Sequence, residues 1–452
     1  MNKRIHGLVT VGMALSLAMS GQVAFAAQPA GPLKALAFLP GSDRIDSMAE
    51  THRQHNVTVG DGALRQVERE PVGTKGINDT EVTAEPVVRF GTRPWQNPQV
   101  TITGDLTSDT DFYAVELRAG DVLSGSVTGA ATRLTVHDPT HREVYGTSVD
   151  ESGIYPKTSP LLGGGNATVD FVAPRAGRYT VGTLNGQGAY TLNLKALRPG
   201  TETAPRGSVP TLFLDFNGAL IAQDIFGTEG DRQLSPFSSF LAKWGLTAAD
   251  ESAVIDRVLA TIRENYLGDV AHNGTNPQFA LRILNSRDNA DAFGKPGVSR
   301  VVVGGTVDEF GFTTVGLAQS IDPGNFAQEE TAVVLLDRLS GPAGPAVSLN
   351  TYITDKSDRV AFVGRAIGNV ASHEIGHMSG NWHTNPDDTV LTLMDQRGNQ
   401  KEMFEVGPDG VGGTADDVDY DFGEDTFAPD EGISGTEDTL NRLAWAYHRG
   451  TA

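Results

Sequence analysis

Residues 373–383 read His-Glu-Ile-Gly-His-Met-Ser-Gly-Asn-Trp-His, and no other stretch of the chain restricts the fold as tightly. His373 and His377 are four positions apart, so a helix sets both imidazoles on one face, one turn from each other. That helix must then end. Gly380 follows His377 by three, where a backbone with positive φ lets the chain turn back at little cost only if the residue is glycine. The reversal returns His383 toward the first two histidines. Upstream, Val360, Val363, Ile367 and Val370 recur at spacings of three and four, which predicts a buried helical stripe with Ser357 as its N-cap.

The residue types point to metal chemistry. Neutral imidazole nitrogen binds zinc at about 2.0–2.1 Å, and three protein ligands leave a coordination position for water, which is a catalytic layout. Glu374 sits one position round the helix from His373, where it flanks such a metal and can accept a proton from water. A bare His-Glu-x-x-His is common by chance. Three His, one Glu and one Gly at fixed spacing are far less so in a chain with ten histidines.

The pattern HExxHxxGxxH resembles the signature of the metzincins, a clan of zinc endopeptidases. The resemblance implies a mixed α+β domain with a twisted sheet and an active-site helix. It implies zinc on His373, His377 and His383, and Glu374 as general base. It also implies a Met-turn methionine beneath the metal, for which Met394 in "LTLMDQ" is the match; a generic core methionine is the other reading. Gln396 stands where some members of the clan carry tyrosine, so a tyrosine ligand is not implied. Residues 315–322, "VGLAQSID", resemble the metzincin strand that edges the cleft. Gly316, Leu317 and Ala318 are therefore candidates to pair with an extended substrate through backbone hydrogen bonds, an interior strand being the equal alternative.

The rest of the 452-residue chain predicts a multidomain protein. Lys3 and Arg4, the apolar run Gly7 to Met19 and Ala24-Phe25-Ala26 have the layout of a signal peptide over residues 1–26, which predicts secretion, with the periplasm as the alternative. No later stretch is apolar for long enough to span a bilayer. Residues 27–95 lack periodicity and are read as a propeptide or linker. Residues 96–197 alternate in short runs, among them Val100–Thr103, Asp111–Leu117, Val122–Val127, Arg133–His137, Thr168–Val172, Arg178–Val181 and Tyr190–Leu194, and predict an all-β sandwich. The segments "TSDTDFYAVELRAGDVLSGSV", "APRAGRYTVGT" and "GAYTLNL" resemble the bacterial pre-peptidase C-terminal domain, which implies a β-sandwich with an accessory role in binding or secretion. Residues 198–208 are a linker by composition. In residues 209–452, Thr211–Phe216, Phe279–Leu284, Arg300–Val303 and Thr331–Leu336 read as strands, and Ser252–Tyr266 and Thr436–His448 as helices.

A formal charge of −21 argues against nucleic acid as a partner, and the absence of cysteine excludes both disulfides and thiolate latency. From Glu402 to Asp438 there are thirteen acids and no Lys or Arg. Asp409, Asp416, Asp417, Asp419 and Asp421 lie among glycines there and are candidate calcium ligands, although the spacing is not that of an EF-hand and a solvated acidic loop is the competing reading. Together these features predict a secreted, monomeric zinc endopeptidase acting on proteins or peptides. The alternative is a secreted binding or adhesion protein built on a non-proteolytic version of the same scaffold.

Overall fold

The computed structural model describes residues 55–395 and 400–452. Residues 1–26, predicted as a signal peptide, residues 27–54 and Gln396 lie outside the described residues. The chain is mostly β, with sheets that mix parallel and antiparallel pairs and few helices.

Two sheets share one hydrophobic core. The first has five strands in the order Leu64–Val67, Gln99–Thr107, Gln187–Leu197, Val122–Gly129 and Ala167–Val172. The second has seven, in the order Glu424–Thr426, Ile433–Asp438, Glu143–Thr147, Arg133–His137, Gly177–Leu184, Asp111–Leu117 and Glu85–Pro86. Tyr113, Val115 and Leu117 alternate along their strand and enter the core with Leu134, Val136, Val169, Tyr179, Val181, Leu192 and Leu194, as period-two patterning requires.

The limits of this region differ from those predicted. Leu64–Val67 pairs in parallel with Val100–Thr103, and Glu85–Pro86 with Tyr113–Ala114. Residues 64–67 and 85–86 are thus edge strands of the sheets. Their short, half-exposed segments carry no alternation long enough to read. At the other end, Ile433–Gly435 pairs with Tyr145–Thr147, so the seven-stranded sheet is completed by residues nearly 300 positions downstream of its partner strand. Thr436–Asp438, predicted as helix, continue this strand; the helix begins at Thr439, with the Asp438 carboxylate accepting from the Asn441 amide. Residues 198–208 are held by tertiary contacts: Gly200 N–H donates to Gly324 O, Thr201 Oγ1 to Ala446 O, and Arg206 N–H to Ala452 O.

A third sheet runs in the order Arg282–Asn285, Thr211–Asp215, Val298–Val303, Thr331–Val334 and Gly316–Ala318. Its first four strands are mutually parallel and the last is antiparallel. Against it pack the helices Glu251–Arg263, which runs on into a π turn over Glu264–Val270, and Arg359–Met378. The second helix is capped by Asp358, whose carboxylate accepts from the Ala361 amide at 3.0 Å. Ser357, the predicted cap, instead accepts from Thr354 N–H. A carboxylate one residue closer makes the stronger, charge-assisted bond at the positive end of the helix. Gly364 and Gly368 let the first helix press against the second: a Cβ at Gly368 would come within 2.7 Å of Thr261 Cβ, and one at Gly364 within 2.6 Å of Arg257 Cβ. Covered on this side and by the sheet on the other, the helix is buried all round from Ala366 to Met378. Full burial of Val363, Ile367 and Val370 stabilises it by about 1.5–3 kcal/mol each. No helix among the described residues is long and apolar enough to cross a membrane.

Candidate metal centre

The helix end, the turn after it and two remote segments bring three imidazoles to one point. His377 Nε2 lies 3.1 Å from His373 Nε2 and 3.2 Å from His383 Nε2. A tetrahedral zinc ion about 2.0–2.1 Å from each nitrogen would set them about 3.3 Å apart. Each ring is oriented through its other nitrogen. His373 Nδ1 bonds Leu393 O at 2.6 Å, His377 Nδ1 bonds Asn381 O at 2.8 Å, and His383 Nδ1 bonds Glu431 Oε1 at 2.6 Å. Because all three acceptors are oxygens, each Nδ1 carries the hydrogen and each Nε2 is the basic nitrogen. Oxygen partners behind ligating imidazoles of this kind fix tautomer and direction. Burial holds the two helix rings neutral: the His373 pKa is pushed down to about 3 by burial and then by the neighbouring His383, and His377 is held well below the usual histidine range, by burial and then by His383 and His373. Three converging Nε2 atoms, each with its Nδ1 tied to an oxygen, fit a zinc ion.

Gly380 is required on two counts. Its φ is +104°, and a Cβ there would meet Pro323 Cα at 2.5 Å. Gly380 N–H donates to His377 O and Asn381 N–H to Gly376 O, closing the helix before the chain returns with His383. Met394 is fully buried. A Cβ on Gly376 would lie 2.7 Å from its sulfur, so the thioether rests on the helix between His373 and His377. Its neighbour Leu393 supplies the carbonyl behind His373, and Met394 O accepts from Thr384 N–H just past His383.

Glu374 is fully buried beside the triad, and neither of its carboxylate oxygens makes a well-aligned hydrogen bond. Burial pushes its pKa well above the ordinary glutamate range, offset in part by the nearby Ala318 amide. A Cβ on Gly316 would come within 2.2 Å of Glu374 Oε1, so the carboxylate lies over bare backbone. That backbone is the strand Gly316–Ala318, which is the edge of its sheet, paired with Thr331–Val334 alone. Just beyond it, Ile321 N–H donates to Ile154 O of the sandwich.

The five candidate calcium ligands do not gather at one point. Asp416 accepts from Asp409 N–H and Thr414 Oγ1, and Asp417 pairs with Arg365 and accepts from Gly413 N–H. Burial raises the pKa values of Glu264, Glu405 and Asp421, and the nearby charge of Asp419 adds to the rise. Only Asp421 joins a group compact enough to hold a cation, with Glu264 and Asp269, which are far upstream and were not singled out in the sequence. Glu70, Asp79 and Asp109 form a second such group among the described residues. Glu431 was also missed. It stands 48 positions after His383 among thirteen acids, and nothing in its spacing marks it.

No family model matches the chain, and no curated protein does. Among solved structures, the periplasmic inhibitors of g-type lysozyme from Aeromonas hydrophila and Salmonella Typhimurium align over 25% of this chain and 99% and 100% of theirs. They are 15% and 16% identical, with TM-scores of 0.17 and 0.18. IMPa of Pseudomonas aeruginosa, solved with an O-glycopeptide, aligns over 61% of this chain and 33% of its own at 14% identity and a TM-score of 0.14. Likeness this slight carries no functional argument.

Proposed function

We propose that this chain is a secreted zinc endopeptidase of metzincin-like design, acting on proteins or peptides. The observation that carries the reading is the convergence of three Nε2 atoms, each ring tied by an oxygen at Nδ1, beside a buried carboxylate without a settled hydrogen-bond partner. A zinc ion held there would polarise a scissile carbonyl and lower the pKa of water. Glu374 takes the proton of the attacking water and passes it to the leaving amine. The strand Gly316–Ala318 offers its outer backbone edge to an extended peptide, and the glycine at 316 leaves the carboxylate room beside it. Met394 forms the floor under the histidine pair.

The test is metal content and hydrolysis of the full-length secreted chain and its Glu374→Gln variant. One zinc per chain in both, casein cleavage by the parent that a chelator blocks, and a loss of at least about 100-fold in the variant are expected. A fully active variant, or a parent without stoichiometric zinc, overturns the reading.

A further inference from the structure

His383 is held differently from its two partners, and the parts that hold it lead back to the sandwich. The residue before it, Trp382, is fixed at two points. Its backbone N–H donates to Glu437 Oε1 at 3.1 Å, and its indole N–H donates to Asp170 Oδ1 at 3.3 Å. Asp170 lies on the sandwich strand Ala167–Val172 and is fully buried. Its Oδ1 also accepts from Arg442 Nη1 at 2.8 Å, and its Oδ2 from Tyr155 OH at 2.6 Å. Arg442 in turn donates to Glu437 at 2.9 and 3.0 Å. Asp170, Arg442 and Glu437 thus form a buried charged cluster that grips Trp382 on both its backbone and its ring.

The second hold has the same origin. Glu431, which orients His383 through Nδ1, is followed directly by Gly432, whose carbonyl accepts from Thr147 Oγ1, and by Ile433–Gly435, laddered to Tyr145–Thr147. Removing three charges from water costs several kcal/mol per ion before pairing recovers it, and an apolar cluster would serve packing as well or better. The outlay is consistent with a demand for fixed direction at the turn.

We propose that Asp170 is a positioning residue for His383. Through Trp382 and the Arg442–Glu437 pair it sets where the third imidazole points, and the sandwich is a working part of the metal centre. The inference rests on the zinc reading above. It is distinct from an accessory role for the sandwich, because it assigns the sandwich an effect on the metal itself.

The experiment uses the full chain. Zinc affinity is measured by competition with a chromophoric chelator, and the cobalt(II)-substituted protein gives a visible absorption spectrum that reports ligand geometry. Asp170→Asn is expected to weaken zinc binding about 10- to 100-fold and to alter the cobalt spectrum. Trp382→Phe, which removes the indole donor and part of the ring while keeping the backbone hold on Glu437, is expected to weaken it about three- to tenfold. In a His383→Ala background, Asp170→Asn is expected to change zinc affinity less than twofold, because the residue through which it acts is gone. A loss of the same size in both backgrounds would mark general destabilisation and overturn the proposal. So would an unchanged affinity and cobalt spectrum for Asp170→Asn in the parent background. Should Asp170→Asn fail to fold, Trp382→Phe decides, and parent-like affinity there overturns it. A parent chain that binds no zinc sinks the zinc reading and this proposal together, whereas a parent that binds zinc beside an unaffected Asp170→Asn sinks this proposal alone.

Discussion

The helix Arg359–Met378 and the turn that follows it deliver the same kind of group by opposite means. His373 and His377 are aligned by helical geometry, one turn apart, and their supporting oxygens come from Leu393 and Asn381, within twenty residues of each. His383 has no regular structure behind it. Its direction comes from Glu431 and, through Trp382, from Glu437 and Asp170, the last 212 positions away in sequence. The contrast shows that a local repeat can align two imidazoles with support from nearby residues, while bringing in the third needs contacts that only the closed fold provides.

Acid offers the largest lever on the helix side of this contrast. With zinc removed by a chelator, the buried His373 stays neutral down to about 3, whereas in the unfolded chain it titrates near the ordinary histidine value of 6.5. The depressed pKa means that the unfolded state binds the extra proton. Stability is therefore present above pH 6.5 and is lost as pH falls toward about 3, by roughly 4–5 kcal/mol at most for this residue. Thermal melts of chelated protein from pH 7 to pH 4 should show a steep fall in Tm, and a flat profile would break the picture of a buried, neutral pair. On the turn side, Gly380→Ala forces a positive φ on a residue with a Cβ and a contact of 2.5 Å with the Pro323 backbone. A loss of about 3 kcal/mol is expected, with zinc affinity reduced at least tenfold while the far-ultraviolet helix signal is kept. Unchanged zinc affinity in this variant would show that His383 does not depend on the turn. The smallest effect belongs to the far end of the helix. Asp358→Ala removes the cap and should cost about 1 kcal/mol of stability in denaturant titration, leaving zinc affinity untouched. A change in affinity there would erase the distinction between helix and turn.

How far these features could be read in advance follows their range along the chain. The alternation in Asp111–Leu117 and the three–four spacing of Val363, Ile367 and Val370 announce themselves because each depends on neighbours a few residues away. The strands at 64–67, 143–147 and 433–438 do not, because segments this short carry no clear alternation and look like loops until a partner strand is known. Thr436–Asp438 shows the conflict directly: it resembles the start of a helix by composition, yet its backbone is claimed by a sheet.

By itself the sequence determined the helix, the shared face of His373 and His377, the carboxylate beside them and the glycine that lets the chain return. Each is dictated by backbone geometry over a single turn or two. Tertiary structure alone decided which oxygen stands behind each imidazole, which acids group and which disperse, and that a buried charged cluster ties the histidine turn to the sandwich. Contacts of this kind depend on which remote segments meet, and that is settled by the packing of the whole core.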